Sequence, residues 1–318
     1  MLTIITTPSE IERTTGEIRA GGTDLHDRYR LGVSAGPIVD IHKLRSFEGG
    51  NLGTIAQTAD GATRIGALVT IDETARNPII AQHYAGLAKA ANGLATPQIR
   101  HAASMGGALL QRTRCWFFRH PHYTCFKKGG AECFARDRHN PNGVIFDAGG
   151  CVYPHPSTLG MALLAYEAQV EVFGQGRRPI ADLYGDGSNP TRDHLLEPNE
   201  LLTHIFLPPP VANERTTYFR SISRFEAEWP IVECLVRLVV EDGAITFARV
   251  GAGGVAAVPM RLTNVEEALV GQSATQSTLE GAAAMAADGA NPLPHTAHKV
   301  DFLVGTLWQT LELALEKA

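Results

Sequence analysis

The chain has 318 residues and a mass of 34.2 kDa, with hydrophobic residues at 44% and charged residues at 19%, values that suit a globular protein with enough chain for two domains. A net charge of -5 supplies no global basic field and argues against a nucleic-acid role, and no run approaches the roughly 18 apolar residues of a membrane span. The opening "MLTIITTPSE" lacks the basic and apolar regions of a secretory signal, so the chain reads as unexported.

In chain order, "GPIVDIHKL" (36–44) and "TRIGALVTI" (63–71) read as strands, because β-branched and apolar residues run between Gly and Asp punctuation. "DETARNPIIAQHYAGLAKAANGLA" (72–95) keeps apolar residues at helical spacing, with Asp72 placed to cap its start. "STLGMALLAYEA" (157–168) predicts a helix capped by Ser157, followed by the strand "QVEVFG" (169–174). "GDGSNPTRDHLLEPNE" (185–200) is turn-rich, and the three prolines ending "LLTHIFLPPP" (201–210) remove backbone donors. We therefore expect a boundary near 208–214, giving domains 1–210 and 211–318. The second opens with strand-like runs around the turn "EDGA" and closes on the amphipathic "KVDFLVGTLWQTLELALEKA".

Three glycine clusters punctuate this pattern. "IRAGGTDLHD" (18–27) can form a nest of backbone amides for a pyrophosphate, with the Thr23 hydroxyl as a further donor; equally, it is a good turn and helix cap. "TPQIRHAASMGGALLQRTRC" (96–115) offers a second pinched segment, at Ser104, Gly106 and Gly107. "VGAGGVAAVPMR" (250–261) reads as a structural turn. Neither a Rossmann fingerprint nor a P-loop occurs, and no Ser-His-Asp order or H-E-x-x-H motif points to hydrolysis.

Four of the five cysteines fall close together: Cys115, Cys125, Cys133 and Cys151, at separations of ten, eight and eighteen. Cys234, inside "PIVECLVRLVV", reads as a buried hydrophobe. Spacing alone leaves an iron-sulfur cluster, a zinc site and simple packing open for the other four, since neither C-x-x-C pairs nor common ferredoxin spacings are present. His120, His122 and His139 read as surface residues, and His155 as part of a turn.

The two glycine segments, with "HPSTLGMALLAYEAQVEV", "PNELLTHIFLPPP", "EWPIVECLVRL" and "GAGGVAAVPMR", resemble in order the FAD-binding medium subunit of molybdenum hydroxylases, the xanthine dehydrogenase and aldehyde oxidase family. The resemblance covers nearly the whole chain. It implies an α+β protein with a FAD-binding domain of the p-cresol methylhydroxylase or vanillyl-alcohol oxidase type, followed by a smaller α+β C-terminal domain. By position, Ile18, Arg19, Ala20, Gly21, Gly22, Thr23, Asp24 and Leu25 would wrap the FAD pyrophosphate, with Ser104, Gly107 and Thr158 contributing further contacts. Ala108 and Thr158 stand where the family usually has Asn and Asp, so those side-chain contacts differ; we expect flavin to be retained.

Some medium subunits of the family, those of the periplasmic aldehyde oxidoreductase kind, carry an inserted loop with a 4Fe-4S cluster. "QRTRCWFFR" and "CFKKGGAEC" resemble that insertion, at about 112–152, which implies Cys115, Cys125, Cys133 and Cys151 as cluster ligands. Trp116, Phe117, Phe118 and Phe126 would shield the cluster, while Arg112, Arg114, Lys127 and Lys128 would offset its charge or else form a solvated basic rim. The resemblance further implies an oxidoreductase subunit in a heterotrimer. A large partner would hold the molybdenum cofactor and the substrate, and a small partner two 2Fe-2S clusters. FAD here would pass electrons to a terminal acceptor. The compartment expected is cytoplasmic, or periplasmic if a partner's signal carries the complex. The rival expectation is a non-catalytic assembly subunit with a structural zinc or cluster site and no functional FAD.

Overall fold

The computed structural model describes residues 1–47 and 50–316. Short strands between tight turns build three sheets. The first is parallel, in the order β1-β3-β2: β1 (Leu2–Ile4), β2 (Glu17–Arg19) and β3 (Ile38–Asp40). The second comprises β4 (Ile55–Gln57), β5 (Thr63–Gly66), β6 (Gln169–Val172), β7 (Gly176–Pro179) and β8 (Leu202–Leu207). Its order is β4-β5-β8-β6-β7 and every pair is antiparallel. The third is also antiparallel, in the order β12-β11-β10-β9: β9 (Arg215–Ser221), β10 (Val232–Glu241), β11 (Ala244–Gly253) and β12 (Met260–Arg261). With helices packed on the second and third sheets, the molecule is α+β, as expected.

The β10–β11 hairpin forms where "EDGA" predicts a turn. Asp242 and Gly243 both take positive φ (50° and 80°), the backbone that a two-residue hairpin needs and that Gly supplies without strain. The closing helix His298–Glu316 lays Leu303, Leu307, Leu311 and Ala314, one helical face, onto β9 and β10; Lys317 and Ala318 of the predicted stretch lie outside the described residues. Cys234 is fully buried in the same core.

Three local expectations are corrected. The 72–95 stretch is not one helix but three, Ile71–Arg76, Pro78–His83 and Ala85–Asn92, because Pro78 cannot continue a helix and Asn77 caps the next one through Ile79 N and Ile80 N. The first cap is Thr70, whose hydroxyl accepts from Glu73 N at 3.1 Å in a reciprocal capping box; Asp72 lies inside the helix and pairs with Arg76 at 3.1 Å. The strands predicted over 36–44 and 63–71 shorten to Ile38–Asp40 and Thr63–Gly66, with a 3₁₀ turn at His42–Arg45 and the Thr70 cap taking the remainder. Elsewhere Ser157 caps the helix Thr158–Ala165 as predicted, accepting from Gly160 N at 2.9 Å.

One buried ion pair joins the third sheet to that helix. Arg237 on β10 grips Glu214 with both arms (2.6 and 3.1 Å), donates to Ala165 O at 2.9 Å and lies 4.3 Å from the Tyr166 ring centre. Both charges are almost wholly buried. Arg237→Ala leaves Glu214 alone in low dielectric and should lower stability by about 3–5 kcal/mol in equilibrium denaturation.

Lys299 fastens the cysteine-rich segment to the C-terminal sheet. Its ammonium donates to Gly143 O at 2.8 Å and to Gly254 O, with burial pushing it down to about 7. An unfolded lysine holds its proton until about pH 10.4, so between these values the unfolded chain binds more protons and stability rises with pH. Thermal melts from pH 7 to 10 should show the wild type gaining on Lys299→Met by up to about 1.4 kcal/mol per pH unit.

Candidate functional site

The first glycine segment leaves β2 and turns into the short helix Leu25–Arg30, His26 N closing the turn on Gly22 O at 2.9 Å. Gly22 has φ of 72°, which favours glycine. Gly21 packs against the second glycine segment so tightly that a Cβ there would lie 1.8 Å from Ala102 O. The second segment is two short helices, Pro97–Ala102 and Met105–Leu109, with Ser104 between them accepting from Gly107 N at 3.2 Å. Segments some eighty residues apart in the chain are thus pressed together by backbone contact.

They frame a cavity of about 460 Å³ lined by all of Ile18 to Leu25 and by Ser104, Gly106 and Gly107. Among the described residues, no amide from Gly21 to Leu25 donates to the chain's own groups, so this wall presents unspent N–H donors. The cations nearby are already committed. Arg28 pairs with Glu17 and Asp24, Arg112 and Lys127 with Asp193, and Arg192 with Glu197. Burial would push the Asp24 carboxyl up, but Arg119, Arg114 and Arg28 overcome it and hold Asp24 below the ordinary carboxylate range. Asp24 therefore organises the wall instead of offering free oxygens to the cavity.

The opposite wall went unread in the sequence. Thr191, Arg192, His194 and Leu196 to Leu202, apart from Asn199, line it, drawn mostly from the 185–200 stretch predicted only as turns, with Leu201 and Leu202 from the start of the next segment. His194 is pushed down to about 4, first by burial, and its buried Nδ1 has no partner among the described residues. A charged, His-containing "TRDH" run inside a turn-rich loop was the available signal. Thr158 is not on this cavity: it is buried at the start of its helix and donates to Glu233 at 2.8 Å.

The cysteine-rich segment folds as a small core of its own, with Cys115, Phe118, Cys125, Ala135, Val144 and Val152 buried and Cys133 against them. Cys115 opens the helix Trp116–Arg119, whose Phe117 and Phe118 amides point back toward its thiol, and Cys125 opens a 3₁₀ turn. Burial pushes Cys115 up to about 11, against bonds from Phe118 N and Phe117 N and beside Cys133 and Cys125. The Cys151 thiol donates to Cys133, which also receives Val152 N and Ala135 N and falls to about 6; Cys151 is correspondingly raised. All four are free cysteines and form one connected neighbourhood. Among the described residues, no three His, Cys, Asp or Glu side chains converge with metal-ligand geometry.

Phe118 is buried and Phe117 and Phe126 are half-buried, but Trp116 is 72% exposed and shields nothing. Lys127 is not a solvated rim group, because its ammonium is buried on Asp193 at 2.8 Å and on Arg192 O at 2.6 Å. His120, His122 and His139 are exposed, as predicted, and His155 is buried. No described helix is long and apolar enough to cross a membrane.

Residues 12–210 match the family model of the FAD binding domain in molybdopterin dehydrogenase, and residues 217–302 that of the CO dehydrogenase flavoprotein C-terminal domain. The chain is 31% identical over 290 residues to the aldehyde oxidoreductase FAD-binding subunit PaoB of Escherichia coli (strain K12), covering 86% of this chain and 87% of that one. It is 24% identical over 268 residues to the nicotinate dehydrogenase FAD-subunit of Eubacterium barkeri, covering 83% and 74%. Among solved structures, reconstituted CO dehydrogenase from Oligotropha carboxidovorans shares the fold, with a TM-score of 0.76 at 20% identity, covering 100% of this chain and 98% of that one. Quinoline 2-oxidoreductase from Pseudomonas putida 86 does so with a TM-score of 0.72 at 18% identity, covering 99% and 96%.

Proposed function

Because this chain belongs to the family of FAD-binding medium subunits of molybdenum hydroxylases, we propose that it is the electron-transfer flavoprotein subunit of a molybdenum-dependent hydroxylase or dehydrogenase. Electrons from the 2Fe-2S clusters of a small partner reach FAD on this chain and leave for a terminal acceptor, while a large partner holds the molybdenum cofactor and the organic substrate. The compartment in this reading is the cytoplasm, or the periplasm on a partner's signal. Residues 1–210 form the FAD-binding domain, with an iron-sulfur insertion at about 112–152, and 211–318 the C-terminal domain.

The observation that carries the reading is the wall of unspent amides from Gly21 to Leu25, locked by the Gly21–Ala102 contact to Ser104 and Gly107 across one cavity. The orphaned His194 Nδ1 fits a polar ligand on the other side. The amides hold the pyrophosphate of FAD, and with the nearby cations paired, backbone donors carry most of its charge. FAD supplies a ring that exchanges electrons singly or in pairs. The chain's part is to orient that ring and exclude water from it.

The same reading assigns Cys115, Cys125, Cys133 and Cys151 to a 4Fe-4S cluster. Its support is that Cys115, Cys125 and Cys133 pack in one small core, that Cys151 donates to Cys133, and that amides of Phe117, Phe118, Ala135, Val152 and Tyr153 are aimed at three of the sulfurs, an arrangement that favours thiolate. The test is purification with the partners, followed by a visible spectrum and analysis for iron, sulfide, zinc, molybdenum and FAD. Flavin bands over a broad brown absorption, both bleached by dithionite, are expected. A colourless, zinc-containing chain without FAD would instead establish the assembly subunit.

A further inference from the structure

The cysteine-rich segment at 112–152 grips both walls of the cavity. On the Ile18 to Leu25 wall, Asp24 accepts from the Arg112 amide at 3.3 Å and from the Arg119 guanidinium at 2.6 Å, and pairs with Arg114 at 3.2 Å. On the opposite wall, at 191–202, Asp193 pairs with Arg112 at 2.6 Å through one oxygen and with Lys127 at 2.8 Å through the other. Lys127 also donates to Arg192 O at 2.6 Å. Each wall thus supplies one carboxylate, and the segment supplies cations to both.

Arg119 braces this arrangement from inside the segment, donating to Thr113 O and to Arg112 O at 2.9 Å each, which fixes the turn that presents Arg112. The walls share little else. Leu201 belongs to the same apolar cluster as Ile18 and Ala20, but among the described residues no hydrogen bond or ion pair runs directly from 18–25 to 191–202. Their polar connection passes through the segment.

Asp193 does not itself line the cavity, whereas Arg112, Lys127, Arg192 and His194 do. Its side chain is 2% exposed and that of Lys127 is 4% exposed. Burial would push the Asp193 carboxyl up, but Lys127 and Arg112 overcome it and hold it far below the ordinary carboxylate range. A buried carboxylate with a cation on each oxygen is satisfied in one geometry only, and removing it leaves both cations without their partner. A solvated surface pair would tolerate movement of the wall, and this one does not.

We propose that the cysteine-rich segment is a clasp that sets the spacing of the two cavity walls, with Asp193 as its positioning residue, so that FAD retention and the folded state of the segment are thermodynamically linked. This rests on the FAD reading above. Walls held at one spacing by the closed clasp favour a ligand that touches both, and by reciprocity such a ligand keeps the clasp closed by the same factor. The rival is that Asp193 only neutralises Arg112 and Lys127, which would otherwise reach the pyrophosphate. That rival predicts tighter flavin once the Asp193 charge is removed.

The test is amide hydrogen exchange on the purified complex with its own FAD, after FAD is stripped by chaotrope, and after FAD is added back. Exchange across 112–152 should rise about tenfold on stripping and fall again on addition, while β10 and β11 do not change. Asp193→Asn should weaken FAD retention about tenfold or more, and exchange across 112–152 should stay fast in it when FAD is added. Exchange that ignores FAD in the wild type overturns the proposal without needing any variant to fold. FAD held as tightly or more tightly by Asp193→Asn also overturns it, and both results leave the FAD reading intact. A wild-type complex that releases no flavin on heating and takes up none overturns both.

Discussion

Serine at any one of Cys115, Cys125, Cys133 or Cys151 should strip most of the iron of the proposed 4Fe-4S cluster from the purified complex, whereas Cys234→Ser should leave iron unchanged. The four have equivalent standing because each is part of one neighbourhood: Cys115 interacts with Cys125 and Cys133, and Cys133 with Cys151. A serine oxygen is a harder, far less acidic ligand than a thiolate and cannot replace it without a large loss of affinity. Cys234 makes a control that is not silent. It is 0% exposed among Val232, Val236 and Val250, and a hydroxyl placed there without a partner should cost about 1–3 kcal/mol. The two readouts should therefore separate: Cys234→Ser melts earlier with full iron, and the four loop variants lose iron. Equal iron in all five variants would overturn the cluster assignment. Iron measured against bound FAD in the same sample separates loss of the cluster from loss of the whole insertion.

What was legible in the sequence tracks how local its cause is. The Asp242–Gly243 turn and the Ser157 cap each depend on one or two residues and their neighbours, and both formed where predicted. The 72–95 stretch misled because its apolar spacing is continuous while its backbone is interrupted at Asn77–Pro78, a pair that ends one helix and starts the next. The cavity's near wall could be read because glycines advertise unusual backbone. Its far wall at 191–202 could not, since those residues reach the cavity only after β8 pairs with β5 and β6. Glu233 was hidden inside an apolar run, "PIVECLVRLVV", and the groups around its carboxyl, Thr158, Tyr218 and Gly253, adjoin it only in three dimensions. A lone carboxylate in a buried strand was the signal, and without an identified partner it pointed nowhere.

Gly21→Ala should abolish FAD retention, a stronger effect than any side-chain change in the same cavity. A Cβ at 21 would lie 1.8 Å from Ala102 O and 2.6 Å from its carbonyl carbon, and both obstacles are backbone. No rotamer change relieves the clash, so the two glycine segments must move apart. Overpacking of this kind costs about 1–3 kcal/mol, and a backbone obstacle puts it at the upper end. The larger loss falls on binding, because separating the segments pulls the Gly21–Leu25 amides away from Ser104 and Gly107 across the cavity. A dinucleotide held by both walls then keeps one, and hydrogen bonds to a charged group are worth about 1.5–3 kcal/mol each. Losing two or three of them weakens affinity by at least a hundredfold. Gly107→Ala provides the graded comparison. The nearest atom there is Ser104 Oγ at 3.0 Å, a side chain that can shift, so flavin should be weakened but retained. Flavin released by heat, measured against protein concentration, checks both variants. Full flavin in Gly21→Ala would show that the contact between the segments does not shape the site.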